Sequence, residues 1–242
     1  EEGETIIRKV IKNSGMIISE LHILYQKTFS RIDPKEMELS KKEVSELLAE
    51  RRRLNQVYRE DLKNLAPFLK QYMELKKKII TTGGDILGNQ ELEKKRKSLI
   101  KKVADLEFHQ DEILEYSDKF INAEKKIRKY RKELSRIERR LRVSNVKERR
   151  NMGRGLAIAD ERRKIEDELG LSADVIKEKI RQIQVTEKKL GRLEFDFEEP
   201  IDDILKRAEE IAYGKRMMKS AKDKLIQANL RLVVSIAKKY TN

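Results

Sequence analysis

The chain has 242 residues, of which 41% are charged, 38% apolar and 5% aromatic, with no tryptophan and a net charge of +14. That composition can bury helical seams but not a thick core, so elongated helical packing is expected in place of a rounded globule. The absence of cysteine excludes disulfides and thiolate metal sites and fits a reducing cytoplasm, and the absence of an apolar run of about 18 residues argues against a membrane span.

Residues 4–30 carry Ile6, Ile7, Val10, Ile11, Ile17, Ile18, Leu21, Leu24 and Tyr25 as one broad apolar stripe of helical period. The segment RIDPKEMELS breaks that stripe at Pro34. Ser40 precedes Glu43 by three, the pattern of a capping box, and opens a second helix through about Leu62. Pro67 suits the first turn of a third helix, which ends at Ile80 before the turn TTGGD. From Asn89 to about Arg142 there is no Gly and no Pro, and Leu99, Val103, Leu106, Ile113, Phe120, Ile127, Leu134 and Leu141 recur at helical spacing. This predicts one very long helix, or two joined by a subtle break near EYSDKF. Unbroken, it would reach roughly 80 Å and would need an antiparallel partner, for which the apolar face of residues 156–192 is the candidate.

SNVKERRNMGRG reads as a polar connector. A short helix follows to Leu169 with Gly170 as its C-terminal cap, and Ser172 caps the next helix, ADVIKEKIRQIQVTEKKLGRL. EFDFEEP is an acidic joint, and Pro200, Asp202 and Asp203 suit the first turn of the last helix. No alternating strand pattern and no repeat of fixed period is present, so an all-α fold of long antiparallel helices is expected.

Catalytic signatures are missing. His22 and His109 lie far apart on ordinary helices and read as structural. The carboxylates of 198–203 are explained by helix capping without a metal, and GRG at 153–155 lacks the context of a phosphate loop. No nucleophile has a base at suitable spacing, so neither an enzyme nor a cofactor is expected.

Charge is concentrated. From Lys125 to Arg154 there are 14 Lys or Arg against 3 Glu, a net +11. The candidate basic patch comprises Arg128, Arg131, Arg136, Arg139, Arg140, Lys147, Arg149, Arg150 and Arg154. Its arginines fall on several helix faces, so no single stripe tracks a phosphate backbone, and Tyr130 alone offers an aromatic ring for stacking. A steering field for duplex DNA and a docking surface for an acidic protein face both fit, as does a solvated face whose arginine stems cover apolar neighbours.

The chain closes on LIQANLRLVVSIAKKYTN, residues 225–242, nearly apolar all round in a hydrophilic protein. Its last fifteen residues, ANLRLVVSIAKKYTN, resemble the start of region 2 in primary bacterial sigma factors, the promoter-specificity subunits of RNA polymerase. The resemblance runs back through YGKRMMKSAKDKLIQ, with Gly214, Ala221 and Lys222 in register, and more loosely through DELGLSADVIKEKIRQIQ. At the other end EEGETIIRKV resembles the close of region 1.2. On this resemblance residues 1–32 correspond to the end of region 1.2, 33–200 to the family's variable helical insert, and 201–242 to a truncated start of region 2 (region 2.1).

The resemblance implies that Leu230 and Val233 belong to the segment docking on the clamp helices of the polymerase β′ subunit. It also implies that Asn229 and Leu232 line a pocket for a base flipped from promoter DNA. The acidic tract that some relatives carry in their insert is absent. A helix apolar all round has to be buried. The chain is therefore expected to be a piece of a longer protein, and residues 225–240 to self-associate or to fold back on their own helices. The alternatives are a coiled-coil scaffold, or a helical module that binds nucleic acid without regard to sequence.

Overall fold

A computed structural model describes residues 1–30 and 40–240; the expected break at Pro34 lies outside the described residues. The chain is all-α. Its helices are α1 (Glu2–Lys12), α2 (Met16–Phe29), α3 (Lys41–Thr81), α4 (Gln90–Val103), α5 (Gln110–Leu141), α6 (Val146–Gly155), α7 (Ala159–Leu169), α8 (Ala173–Phe197) and α9 (Ile201–Tyr240). No strand occurs among the described residues, and no helix among them is long and apolar enough to cross a membrane.

Several ends follow the local chemistry of the sequence. The Ser40 hydroxyl accepts from the Glu43 amide at 3.3 Å while the Glu43 carboxylate accepts from the Ser40 amide at 2.8 Å, completing the capping box. The Asn89 side chain caps α4 through the Leu92 amide, and Gly170 takes the left-handed conformation that ends α7. Ser172 holds the N-cap position of α8 but makes no side-chain cap bond. Glu166 reaches across from α7 and accepts from the Ala173 amide at 2.6 Å.

Other boundaries depart from the sequence pattern, each for a tertiary reason. The stripe over 4–30 is two helices, turned at Asn13–Gly15. A Cβ on Gly15 would lie 2.8 Å from the Glu198 carbonyl oxygen and 2.9 Å from that of Phe197, so the turn is pressed against the α8–α9 joint. The second and third expected helices are one, α3, which passes straight through Pro67. Pro67 is on the exposed side, where water can satisfy the carbonyl it leaves without a partner, and the buried seam Leu54–Tyr58–Leu62–Leu65–Leu69–Tyr72 runs past it unbroken. The long segment divides at residues 104–109 and not near EYSDKF. There Leu106 and Phe108 turn into the core, Arg8 holds the Phe108 carbonyl at 2.6 Å, and the Tyr58 hydroxyl accepts from the His109 amide at 2.6 Å. The expected connector 144–155 is instead largely α6, capped by Asn145 on the Glu148 amide at 2.9 Å.

Two cores result. The larger joins α1 to α5 with the end of α8 and the first turns of α9; the smaller packs Ile137, Leu141 and Val143 against Leu156, Ala173, Ile176 and Ile183. Helices α5 and α8 run antiparallel: Phe120 meets Phe197 at 4.9 Å between ring centroids, Lys189 sits over Tyr130, and Ile137 shares its cluster with Ile176. The anticipated partner region is thus in place through α8, while α9 covers another side of α5.

Helix α9 crosses α1 at a glycine pair. A Cβ on Gly3 would lie 2.6 Å from the Gly214 carbonyl oxygen, and one on Gly214 2.7 Å from that of Gly3 and 2.8 Å from Ile7. The two backbones touch, and nothing larger than hydrogen fits. Gly214→Val is expected to lower stability in urea unfolding by about 1–3 kcal/mol through overpacking. Gly191→Ala on α8, where the added carbon meets nothing within 4 Å, is expected to raise it by about 0.5–1 kcal/mol.

Candidate functional site

The direction of α9 is set by the joint that precedes it. Glu198 sits in left-handed backbone conformation, φ 53°, at a cost on the order of 1 kcal/mol for a non-glycine residue. Its carboxylate is fully buried yet satisfied on every side. One oxygen accepts from Lys76 and from Ser19, both at 2.6 Å; the other accepts from the Tyr72 hydroxyl and faces Arg96 at 3.3 Å. Burial and the neighbouring carboxylate push the Tyr72 phenol well above its ordinary range, so it remains a donor. One side chain thereby ties α2, α3 and α4 to the end of α8.

Glu199 completes the joint. It accepts from the Gly15 amide at 2.7 Å and pairs with Arg207 of α9 at 2.7 Å. Arg207 also donates to the Val10 and Asn13 carbonyls at 3.3 and 2.8 Å, closing the C-terminal end of α1. Burial raises the Glu199 pKa even against Arg207. Asp202 and Asp203 lie in the first turn of α9 as expected. Glu198 and Glu199, however, are internal ties and not helix caps, and Glu194 caps α9 by accepting from the Ile201 amide at 3.1 Å. Among the described residues no three potential metal ligands converge. The signal for the joint was Lys76, a lysine on the apolar seam of α3, four residues after Tyr72 and three before Ile79.

Aimed by this joint, α9 buries Ile201, Ile204, Ala208 and Ile211, meets α1 at Gly214, and then leaves the body. From Lys219 onward every described side chain is exposed, a stretch of roughly 33 Å at 1.5 Å per residue. Residues 225–240 do not fold back on their own helices. Leu230, Leu232 and Val233 are 60%, 59% and 62% exposed, and Asn229 is exposed beside them.

This end of the helix is not apolar all round. At about 100° per residue the apolar side chains cover an arc of roughly 200°. Lys224, Arg231, Ser235 and Lys238 fall on the opposite side. Leu232 and Val234 mark the two edges of the arc, with Asn229, Val233 and Leu230 between them. The pairs Asn229–Leu232 and Leu230–Val233 therefore face different directions, and the chain brings neither into a pocket of its own.

The basic patch is not one surface either. Arg149 is 7% exposed and is held by Glu138 at 3.4 Å and Glu187 at 2.5 Å, so it braces α5, α6 and α8 and does not belong to the patch. Arg128 pairs with Glu124 and Glu209, and Arg131 with Asp202, tying α5 to α9. Arg139 donates to the Ser135 carbonyl and hydroxyl. Arg136 and Arg140 face a groove between α5 and α8, while Lys147, Arg150 and Arg154 are exposed on α6.

The histidines have packing roles. The His109 ring accepts from the Asp111 amide at the start of α5, and the His22 ring lies 3.1 Å from Gln26 with its pKa lowered, first by burial and then by Lys76.

Glu198→Ala is expected to cost about 3–5 kcal/mol in urea unfolding, because it leaves Lys76 and Arg96 buried without their counter-charge. Adding Lys76→Met should recover part of that loss; no recovery would mean that the ion pair is not what holds the joint.

No protein-family model matches the chain and no solved structure matches it, so the role of the exposed arc rests on its own residues.

Proposed function

We propose that this chain is part of a primary bacterial sigma factor, a non-catalytic subunit that binds core RNA polymerase and directs it to promoters. In this reading Leu230 and Val233 dock on the β′ clamp helices, and the other edge of the arc, Asn229 and Leu232, faces promoter DNA. The observation that carries it is the exposed arc of α9, on which Leu230, Leu232, Val233, Val234 and Ile236 are 48–62% exposed. An exposed apolar patch of that kind marks an interaction surface. A second support is the meeting of Gly3 and Gly214, which come from the two separate segments that resemble sigma regions 1.2 and 2.

The exposure of Leu230 and Val233 makes the test clean. Leu230→Asp with Val233→Asp is expected to leave helicity and unfolding unchanged while weakening binding to core polymerase at least about tenfold, since charge enters an apolar contact. Unchanged affinity with native spectra would remove the sigma assignment. The scaffold alternative has its own signature in sedimentation: Leu232→Glu with Ile236→Glu would convert a self-associated species to a monomer without any polymerase present.

A further inference from the structure

The groove between α5 and α8 holds a charge pattern that the proposed function leaves unused. Lys129, Lys132, Arg136 and Arg140 line it from α5, and Lys179 and Lys189 from α8, around a space of about 910 Å³ with Glu133 as the one carboxylate in its lining. Among the described residues none of these six cations is ion-paired. The neighbouring arginines behave differently: Arg128, Arg131 and Arg149 each hold a carboxylate. Six cations without a carboxylate thus share one groove, although among the described residues Lys125, Lys126, Arg139, Lys147, Arg150 and Arg154 outside it are not ion-paired either.

On α5 the four cations recur every three or four residues, which sets them on one face at steps of about one helical turn, roughly 5.4 Å. A run of successive phosphates can follow that repeat, with Lys179 and Lys189 closing on it from the opposite wall. The arrangement is poor for an acidic protein. Such docking takes an aromatic or apolar anchor in a desolvated pocket. The Tyr130 ring is covered by the Lys189 ammonium at 5.5 Å and Ile137 is buried in the smaller core, which leaves only the aliphatic Leu171 and the 42%-exposed Val175 against six cations. The lining is six cations against one amide, Gln182, and one carboxylate, Glu133, a balance that favours contacts to phosphate, which carry no sequence information, over contacts to base edges.

We propose that this groove binds one strand of a nucleic-acid sugar–phosphate backbone without regard to base sequence. The inference stands on the groove alone, not on the sigma reading. The arginines of 125–154 do fall on several faces, as the sequence led one to expect; the groove face joins Arg136 and Arg140 to lysines of α5 and α8.

The test measures binding of the 242-residue chain to three fluorescent probes across sodium chloride concentration: a short duplex of arbitrary sequence, an oligothymidylate and a poly-glutamate. The groove variant combines Lys132→Gln, Arg136→Gln, Arg140→Gln and Lys179→Gln. The control removes equal charge elsewhere through Lys63→Gln, Lys77→Gln, Lys94→Gln and Lys101→Gln, all exposed. At about 0.9 released counterion per phosphate contact, the groove variant is expected to lower the duplex log–log salt slope by about 3.6 and affinity by more than about 30-fold at low salt. The control is expected to lose less than about threefold.

Tighter binding of the duplex or of the oligothymidylate identifies which form supplies the strand. Equal losses in groove variant and control would overturn the proposal, because net charge alone would then explain binding. So would the absence of DNA binding, or tighter binding of poly-glutamate with loss confined to the groove variant. Should circular dichroism show the fourfold variant unfolded, Arg140→Gln alone is expected to lower the slope by about 0.9, and no change would overturn the proposal.

Discussion

A buried carboxylate with no spare acceptor capacity cannot move without leaving a cation unpaired in a low dielectric, and Glu198 is such a group. Lys76, Ser19, Tyr72 and Arg96 converge on it from α2, α3 and α4, while its own backbone sits in a left-handed turn that sends the chain from α8 into α9. The adjacent Glu199 binds the Gly15 amide and Arg207, so the α1–α2 turn and the α8–α9 turn are locked face to face. Burial of charge on this scale is weak evidence for stability, because apolar packing of the same volume can do as well. Its effect is geometric: few alternative arrangements satisfy four donors at once.

The geometry that follows explains the exposed end of α9. With its first turns held by Arg207 and by the Gly3–Gly214 contact, the helix is directed away from the body. Its apolar arc is left exposed, a surface of the kind that marks interaction sites. From Lys219 onward the described side chains are exposed, so helical structure there rests mainly on propensity and on continuity with the buried first half. Stability therefore declines along α9 from the joint outward.

Legibility in the sequence tracked the range of the interactions concerned. Ends set by neighbours three residues apart, such as Ser40 with Glu43 and Asn89 with the Leu92 amide, were plain. The all-α class was plain from period alone. Boundaries set by distant residues were not: the division at 104–109 depends on Arg8 and Tyr58, and Gly15 matters because the carbonyls of Phe197 and Glu198 lie against it. Pro67 misled because a proline on the water side of a long helix costs little when the seam beneath it is continuous. In the candidate site, Asn229, Leu230, Leu232 and Val233 were correctly placed on one long helix, but the polar strip opposite them was overlooked. The burial of Arg149 leaves no mark in the sequence, because its partners, Glu138 and Glu187, are brought to it only by the packing of α5 and α8.

Hydrogen–deuterium exchange of the 242-residue chain, alone and with core RNA polymerase, tests the central claim most directly. Alone, amides around Tyr72–Lys76 and over 198–214 should exchange slowly and those of 225–240 fast, in the order of their packing. With polymerase present, protection should rise over 225–240 and remain unchanged at the joint. Fast exchange at 198–214 in the free chain, or no gain over 225–240 in the mixture, would contradict the account of a rigid joint presenting a partner-binding helix.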